Sequence, residues 1–157
     1  MRLIRGLPAV ADRPVALTIG NFDGVHRGHQ AMLARLVEAA DDLGLVPAVL
    51  TFDPHPREFF SKEHAPPRLS SLRGKLDVLR TLGVERVFVA RFGRAFASLD
   101  PDRFVEEVLV RRLGARWVLV GEDFRYGRAR AGDLALLRRH ARTFSVEAMH
   151  AVEVHGE

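Results

Sequence analysis

The residues best suited to chemistry stand in three short runs. They are Gly20-Asn21-Phe22-Asp23-Gly24-Val25-His26-Arg27-Gly28-His29, then Asp53-Pro54-His55-Pro56, then Gly121-Glu122-Asp123-Phe124-Arg125-Tyr126-Gly127. In the first, Gly20 and Gly24 permit tight turns and a close approach of backbone to a ligand. His26 and His29 are three residues apart, so at a helix start they share one face. Gly28 between them carries no side chain to block a phosphate. Two imidazoles donating to phosphate oxygens, above the N–H groups and positive dipole end of a helix, make a nucleotide phosphate cradle. It is not a Walker A loop, whose Gly-Lys-Ser/Thr ending is missing. In the second run, Pro54 and Pro56 stiffen the backbone around His55. In the third, Glu122 and Asp123 suit a metal-bound phosphate or a ring N–H, and Arg125, Arg128 and Arg130 suit anionic oxygens. Phe124 and Tyr126 read equally well as plain packing. His64, His140, His150 and His155 show no ligand spacing, and neither a His-x-x-x-His pair nor a Ser–His–Asp order stands out.

These runs must be held by the elements between them, and the apolar pattern supplies those. Val15 to Ile19 reads as a strand. Met32, Leu33, Leu36, Val37, Ala40 and Leu43 fall at helical spacing, with Gly44 placed to stop the helix. Val46 to Phe52 is a second strand. Asp53 to Ser71 is a long connection with four prolines. Leu72, Leu76, Leu79 and Leu82 give another helix, ended by Gly83, and Arg86 to Ala90 a third strand. Asp100 and Pro101 suit an N-cap and first helical position. Phe104, Val108 and Leu109 supply that helix's buried face, and Gly114 closes it. Trp117 to Val120 is a fourth strand, Asp133 caps a helix through Arg142, and Ser145 to Val154 contains a last strand. Strands alternating with helices imply βαβ units and a mainly parallel sheet, an α/β, three-layer, Rossmann-like architecture. In such a sheet the carboxyl ends of strands share one edge and ligands bind there. All three runs follow strands, so they are expected to converge.

Composition sets the frame for this reading. The chain has 157 residues, 47% of them hydrophobic and 28% charged, enough for one domain with a real core. Cys 0 excludes disulfides, thiol nucleophiles and cysteine-ligated metals. No run approaches the roughly 18 apolar residues of a membrane span, and MRLIRGLPAVADRP lacks a secretory signal's apolar core, so a cytoplasmic protein is expected. The net charge is +4, and all but Lys62 and Lys75 of the 24 basic residues are arginine. Between Arg111 and Arg142 nine arginines face only Glu122, Asp123 and Asp133, which favours anionic partners. No nucleic-acid motif accompanies them, so nucleic acid is not the expected partner.

His26-Arg27-Gly28-His29 resembles the HxGH motif of the nucleotidylyltransferase superfamily. More narrowly, GNFDGVHRGH, TFDPHP, LSSLRGKLDVLRTLGV and VGEDFRYGRARAGD, in that order, resemble the N-terminal module of the bacterial FAD synthetases, the bifunctional riboflavin kinase/FMN adenylyltransferases. The likeness runs from about Leu17 to Val146, and Tyr126 stands where that family more usually has Phe. It implies a nucleotidylyltransferase fold over 1–157 and transfer of AMP from ATP to the phosphate of FMN, giving FAD and pyrophosphate. It implies catalytic roles for His26 and His29. Gly20, Phe22, Asp23, Gly24, His26, Gly28 and His29 would bind ATP, and His55, Pro56, Asp123 and Arg125 would bind FMN. Mg²⁺ is expected to accompany ATP, with no dedicated protein metal site. Two departures are expected: the Ser-Ser-Thr-x-x-Arg-type segment near the module's end is missing, and so is the riboflavin kinase module of a full-length parent. The alternatives are a flavin- or nucleotide-binding module without full turnover, and an enzyme acting on another phosphorylated acceptor.

Overall fold

The computed structural model of the chain describes residues 1–22, 27–53 and 72–150. Six strands lie among them: β1 (Arg2–Arg5), β2 (Val15–Ile19), β3 (Val46–Asp53), β4 (Arg86–Arg91), β5 (Ala115–Gly121) and β6 (Ser145–Met149). They form one sheet in the order β1-β4-β3-β2-β5-β6, and each neighbouring pair is parallel. The helices are α1 (Arg27–Leu43), α2 (Leu72–Thr81), α3 (Arg94–Ala97), α4 (Pro101–Arg103) and α5 (Leu134–His140). None is long and apolar enough to cross a membrane.

Strand alternation divides the core between the two faces of the sheet. Ala16, Val49, Val87, Val89, Trp117 and Leu119 pack with Leu33, Leu36 and Ala40 of α1 and Leu79 of α2. On the other face Val15, Leu17, Leu50, Phe88, Val118 and Val120 pack with Phe104, Val108, Leu109 and Leu137. The three layers expected from the pattern are present. β2 and the first six residues of β3 are wholly buried, as central strands of a parallel sheet must be.

Three elements depart from the expectation. The helix begun by Asp100, whose side chain accepts from Arg103 N–H at 2.9 Å, continues as a π-helix over Phe104–Arg112. Its buried residues explain the geometry: Phe104, Val108, Leu109 and Leu113 recur at four to five positions, and the wider π turn brings them all onto the sheet. Leu113 N–H accordingly donates five residues back, to Val108 O, at 3.0 Å. The second departure is β1, which carried no strand signal because its Arg-Leu-Ile-Arg sequence is an edge strand paired only with β4. The segment after it is tied in by Arg86, 6% exposed, whose Nη1 donates to Asp12 at 2.6 Å. That bond holds the Asp12 carboxyl below its ordinary value. At Gly114, φ is +71° and a Cβ would stand 2.8 Å from both Arg13 O and Ala11 Cβ, so only glycine closes this turn into β5. α5 stops at His140, two residues before the expected end.

On the far edge, Arg35 of α1 grips Glu147 of β6 through two bonds of 2.7 and 2.8 Å. Its guanidinium lies 5.6 Å from the centre of the Trp117 ring. The bidentate pair holds the Glu147 carboxyl below its ordinary value.

Candidate active site

The chain leaves β2 for β3 on one side, then returns past β2 to lay β5 on the other. The switch point of the topology is therefore at β2, where an open parallel sheet forms its crevice. The three chemically distinctive runs follow β2, β3 and β5, which are neighbours. Register puts their ends on one edge: Ile19 pairs with Leu50, three residues before the end of β3, and Thr18 pairs with Leu119, two before the end of β5.

The loop after β2 is held from within. Gly20 N–H donates to Leu50 O at 3.0 Å. Phe22 takes φ +55°, rare for a bulky residue, and is only 2% exposed. A Cβ on Gly20 would stand 2.9 Å from that ring, so the glycine makes room for it. His29 lies in the first turn of α1, half-buried, its ring edge-on to Phe22 with centres 5.0 Å apart. Gly28 lies in the same turn. Asp23, Gly24 and His26 are outside the described residues, as are His55 and Pro56, which follow within three residues of the last residue of β3.

Beneath this loop stands a residue that lies within LSSLRGKLDVLRTLGV but was not singled out for the site. Lys75 of α2 is 6% exposed and Thr51 of β3 is 0% exposed. Lys75 Nζ donates to Thr51 Oγ1 at 3.4 Å, and that hydroxyl donates to the backbone oxygen of Asn21 at 3.3 Å. A sequence signal existed: Lys75 falls on the apolar stripe Leu72, Leu76, Leu79, where a surface lysine would not be placed.

The loop after β5 is built differently. Phe124 N–H closes a turn onto Gly121 O at 3.1 Å. Tyr126 and Gly132 exchange backbone hydrogen bonds of 3.1 and 2.8 Å, making a small hairpin. Its tip holds Ala129 and Arg130 at φ +56° and +55°. Arg128 N–H anchors it to Leu99 O at 2.7 Å. Asp123, Arg125, Arg128 and Arg130 are all exposed, and Arg125 lies 4.0 Å from Asp133. His150 meets Glu122 at 3.1 Å, and His140 pairs with Asp102.

A run of six aromatic rings, also unforeseen, underlies this side of the edge. It goes from Phe92 and Phe52 through Phe96 and Phe104 to Tyr126 and Phe124, with successive centres 5.2 to 6.0 Å apart. Phe124 and Tyr126 are stacked, their planes 18° apart. Tyr126 therefore packs as the core reading had it, at 5% exposure, while Phe124 stays half-buried.

A cavity of about 350 Å³ lies at the opposite edge, where β3 and β4 begin, lined in part by Glu38, Asp41 and Glu85. Its acidic lining is the wrong sign for a phosphate.

The chain matches the model of the FAD synthetase family over residues 9–157. It is 44% identical over 142 residues to the bifunctional riboflavin kinase/FMN adenylyltransferase of Escherichia coli K12, covering 88% of this chain and 45% of that one. The protein of the same name from Pseudomonas fluorescens is 45% identical over 161 residues, covering 99% of this chain and 51% of that one. The chain thus spans about half the length of the curated relatives it matches. A solved Streptococcus pneumoniae structure described as a macrolide-efflux protein superposes with a TM-score of 0.84 at 22% identity, over 99% of this chain and 53% of that one. At that identity the likeness speaks for the fold alone.

Proposed function

The chain belongs to the FAD synthetase family, and from that premise we propose that it transfers the AMP part of ATP to the phosphate of FMN, giving FAD and pyrophosphate. The observation that carries the reading is the adjacency of β3, β2 and β5, whose three distinctive loops leave one edge at the switch point. A phosphate oxygen of FMN attacks the α-phosphorus of ATP. The bond to that phosphorus forms as the bond between the α-phosphorus and the bridging oxygen breaks, and pyrophosphate leaves with the electron pair. FMN's phosphate is already anionic, so no general base is required. What remains is alignment of the three groups and stabilisation of spreading negative charge.

In this reading Gly20, Phe22, Asp23, Gly24 and Gly28 shape the nucleotide loop while His26 and His29 donate to ATP phosphates. His55, Pro56, Asp123 and Arg125 serve the FMN side. The aromatic run supports a flat ring at that end, since half-buried Phe52, Phe92, Phe96 and Phe124 offer the faces and edges an isoalloxazine packs against. Among the described residues there is no group of three or more side chains able to hold a metal. Mg²⁺ fits as an ion carried in on the triphosphate, keeping several of its waters and neutralising phosphate charge. A riboflavin kinase unit, named in the relatives, is the natural source of FMN, and these substrates place the reaction in the cytoplasm.

Incubation with ATP, Mg²⁺ and FMN should yield FAD and pyrophosphate in equal amounts. His26→Ala and His29→Ala should each cut turnover by about 10²-fold or more, the scale of one transition-state donor. FMN or ATP binding without product would instead favour a flavin- and nucleotide-binding module. Near-normal turnover in both variants would sink the assigned histidine roles.

A further inference from the structure

Resting on the reading of the loop after β2 as the ATP loop, we infer that Lys75 is its positioning residue. A lysine is among the side chains least often buried, and burying its ammonium is costly without polar partners. Lys75 is nonetheless 6% exposed, on a helix whose other inward residues are leucines. Its ammonium and the Asn21 carbonyl are joined through a single hydroxyl, that of Thr51, over steps of 3.4 and 3.3 Å. Three elements distant in sequence thus meet on one peptide, the one linking Asn21 to Phe22.

That peptide leads into a demanding turn. Phe22 at φ +55° stays in place only if its surroundings over-determine it. Two restraints hold the stretch to β3: the bond from Gly20 N–H to Leu50 O at 3.0 Å, and the Thr51–Lys75 relay. The Phe22 ring in turn meets the His29 ring at 5.0 Å. Lys75 therefore sets the Asn21 carbonyl, the carbonyl sets the turn at Phe22, and the turn sets one wall around His29. The buried positive charge also lies beneath a loop assigned to a polyanion, where low dielectric extends its reach. Lys75 itself touches neither substrate.

The test uses Lys75→Met, Lys75→Arg and Thr51→Val in the whole chain. Lys75→Met and Thr51→Val should each weaken binding of a non-hydrolysable Mg²⁺–ATP analogue by about tenfold, the scale of one charge-assisted hydrogen bond. FMN affinity should change less than about twofold if the relay serves only the nucleotide loop. The double variant should bind little worse than either single one, since both cut the same relay, and Lys75→Arg should recover part of the loss. Far-UV circular dichroism should show each variant folded, and partial rescue by Lys75→Arg with FMN affinity unchanged separates a positioning role from a merely structural one. Unaltered analogue binding in Lys75→Met, or additive losses in the double variant, would overturn the inference. Exchange of the Gly20 amide, measured by NMR without substrate, separates this from the functional reading. If the wild-type chain neither binds ATP nor makes FAD, the functional reading falls. Faster Gly20 exchange in both variants would still uphold the relay, and unchanged exchange would refute it.

Discussion

Thr51 and Phe52 are consecutive residues of β3, and they turn to opposite sides of the same edge. Thr51 faces α2, where it carries the bond between Lys75 and the loop after β2. Phe52 faces the π-helix and enters the run of rings that ends at Phe124. On the first side the described loop is anchored through backbone groups and one buried ammonium, with Phe22 at 2% exposure. On the second side the backbone is a hairpin clamped on rings, and its charges, Arg125, Arg128 and Arg130, stand in solvent. A polar grip that fixes a backbone and an apolar clamp that displays charge should fail in different ways, and substitutions can show whether they do.

The largest expected effect is on the clamp. A Cβ on Gly132 would stand 2.5 Å from two atoms of the Tyr126 ring. That ring is wedged between Phe104 and Phe124, with centres 5.2 and 5.5 Å away, so it has nowhere to go. Gly132→Ala should destabilise the chain by about 2–3 kcal/mol in urea unfolding, the upper range for overpacking. Gly93→Ala, where nothing lies within 4 Å of the added carbon, should stay within about 0.5 kcal/mol. Equal losses at the two sites would mean that the rings yield and the clamp is soft.

The displayed charges should matter to binding and not to stability. Arg125→Ala with Arg128→Ala should raise the KM for FMN about three- to tenfold at low salt, and the difference should shrink towards nothing by about 0.5 M salt, where the Debye length is a few ångströms. The melting temperature should not move, because both side chains are exposed and the pairing of Arg125 with Asp133, at 4.0 Å, is loose. A salt-independent loss would place these arginines in direct, desolvated contact with substrate and erase the contrast with the loop after β2.

The two sides also differed in how far the sequence exposed them. β2, α1, β3 and β5 were legible because short apolar runs and 3.6-residue spacing are local signals, and their parallel alignment followed from the helices between them. Adjacency of the three loops was then a consequence of topology. β1 was not legible, since an arginine-flanked edge strand exists only through its non-local pairing with β4. Nor was the π geometry of Phe104–Arg112, because Phe104, Val108 and Leu109 also fit a helical stripe, and the sheet that the wider turn packs them against is assembled from distant strands. In the site, Gly20, Phe22 and His29 on one side and Asp123 and Arg125 on the other were chosen for their chemistry and stand at the expected edge. Lys75 and the ring run were passed over for one reason. Each is defined by what it touches across the sheet, and Phe52, Phe92, Phe96, Phe104 and Phe124 look like ordinary core residues until their contacts are known.

The smallest expected effect tests how dry the clamp is. Tyr126 is the chain's one tyrosine, and no hydrogen-bond partner for its hydroxyl stands among the described residues. Burial, reinforced by the charges of Asp133 and Asp102 and opposed by Arg139, pushes its phenol up to about 12 from an ordinary 10.0. A phenol whose folded value is raised keeps its proton in the folded chain while the unfolded chain loses it. Stability should therefore fall as pH rises from about 10 towards 12. Because no other tyrosine contributes, absorbance near 295 nm should titrate with a single midpoint near 12 in the folded chain and near 10 in urea. Tyr126→Phe removes the hydroxyl and keeps the ring, so it should stabilise the chain by about 1 kcal/mol at neutral pH, the cost of one unpaired buried hydroxyl. It should also remove the alkaline loss. A folded-state midpoint at the ordinary value would mean that water reaches the hydroxyl, and that the aromatic side of the edge is as polar inside as the side Lys75 holds.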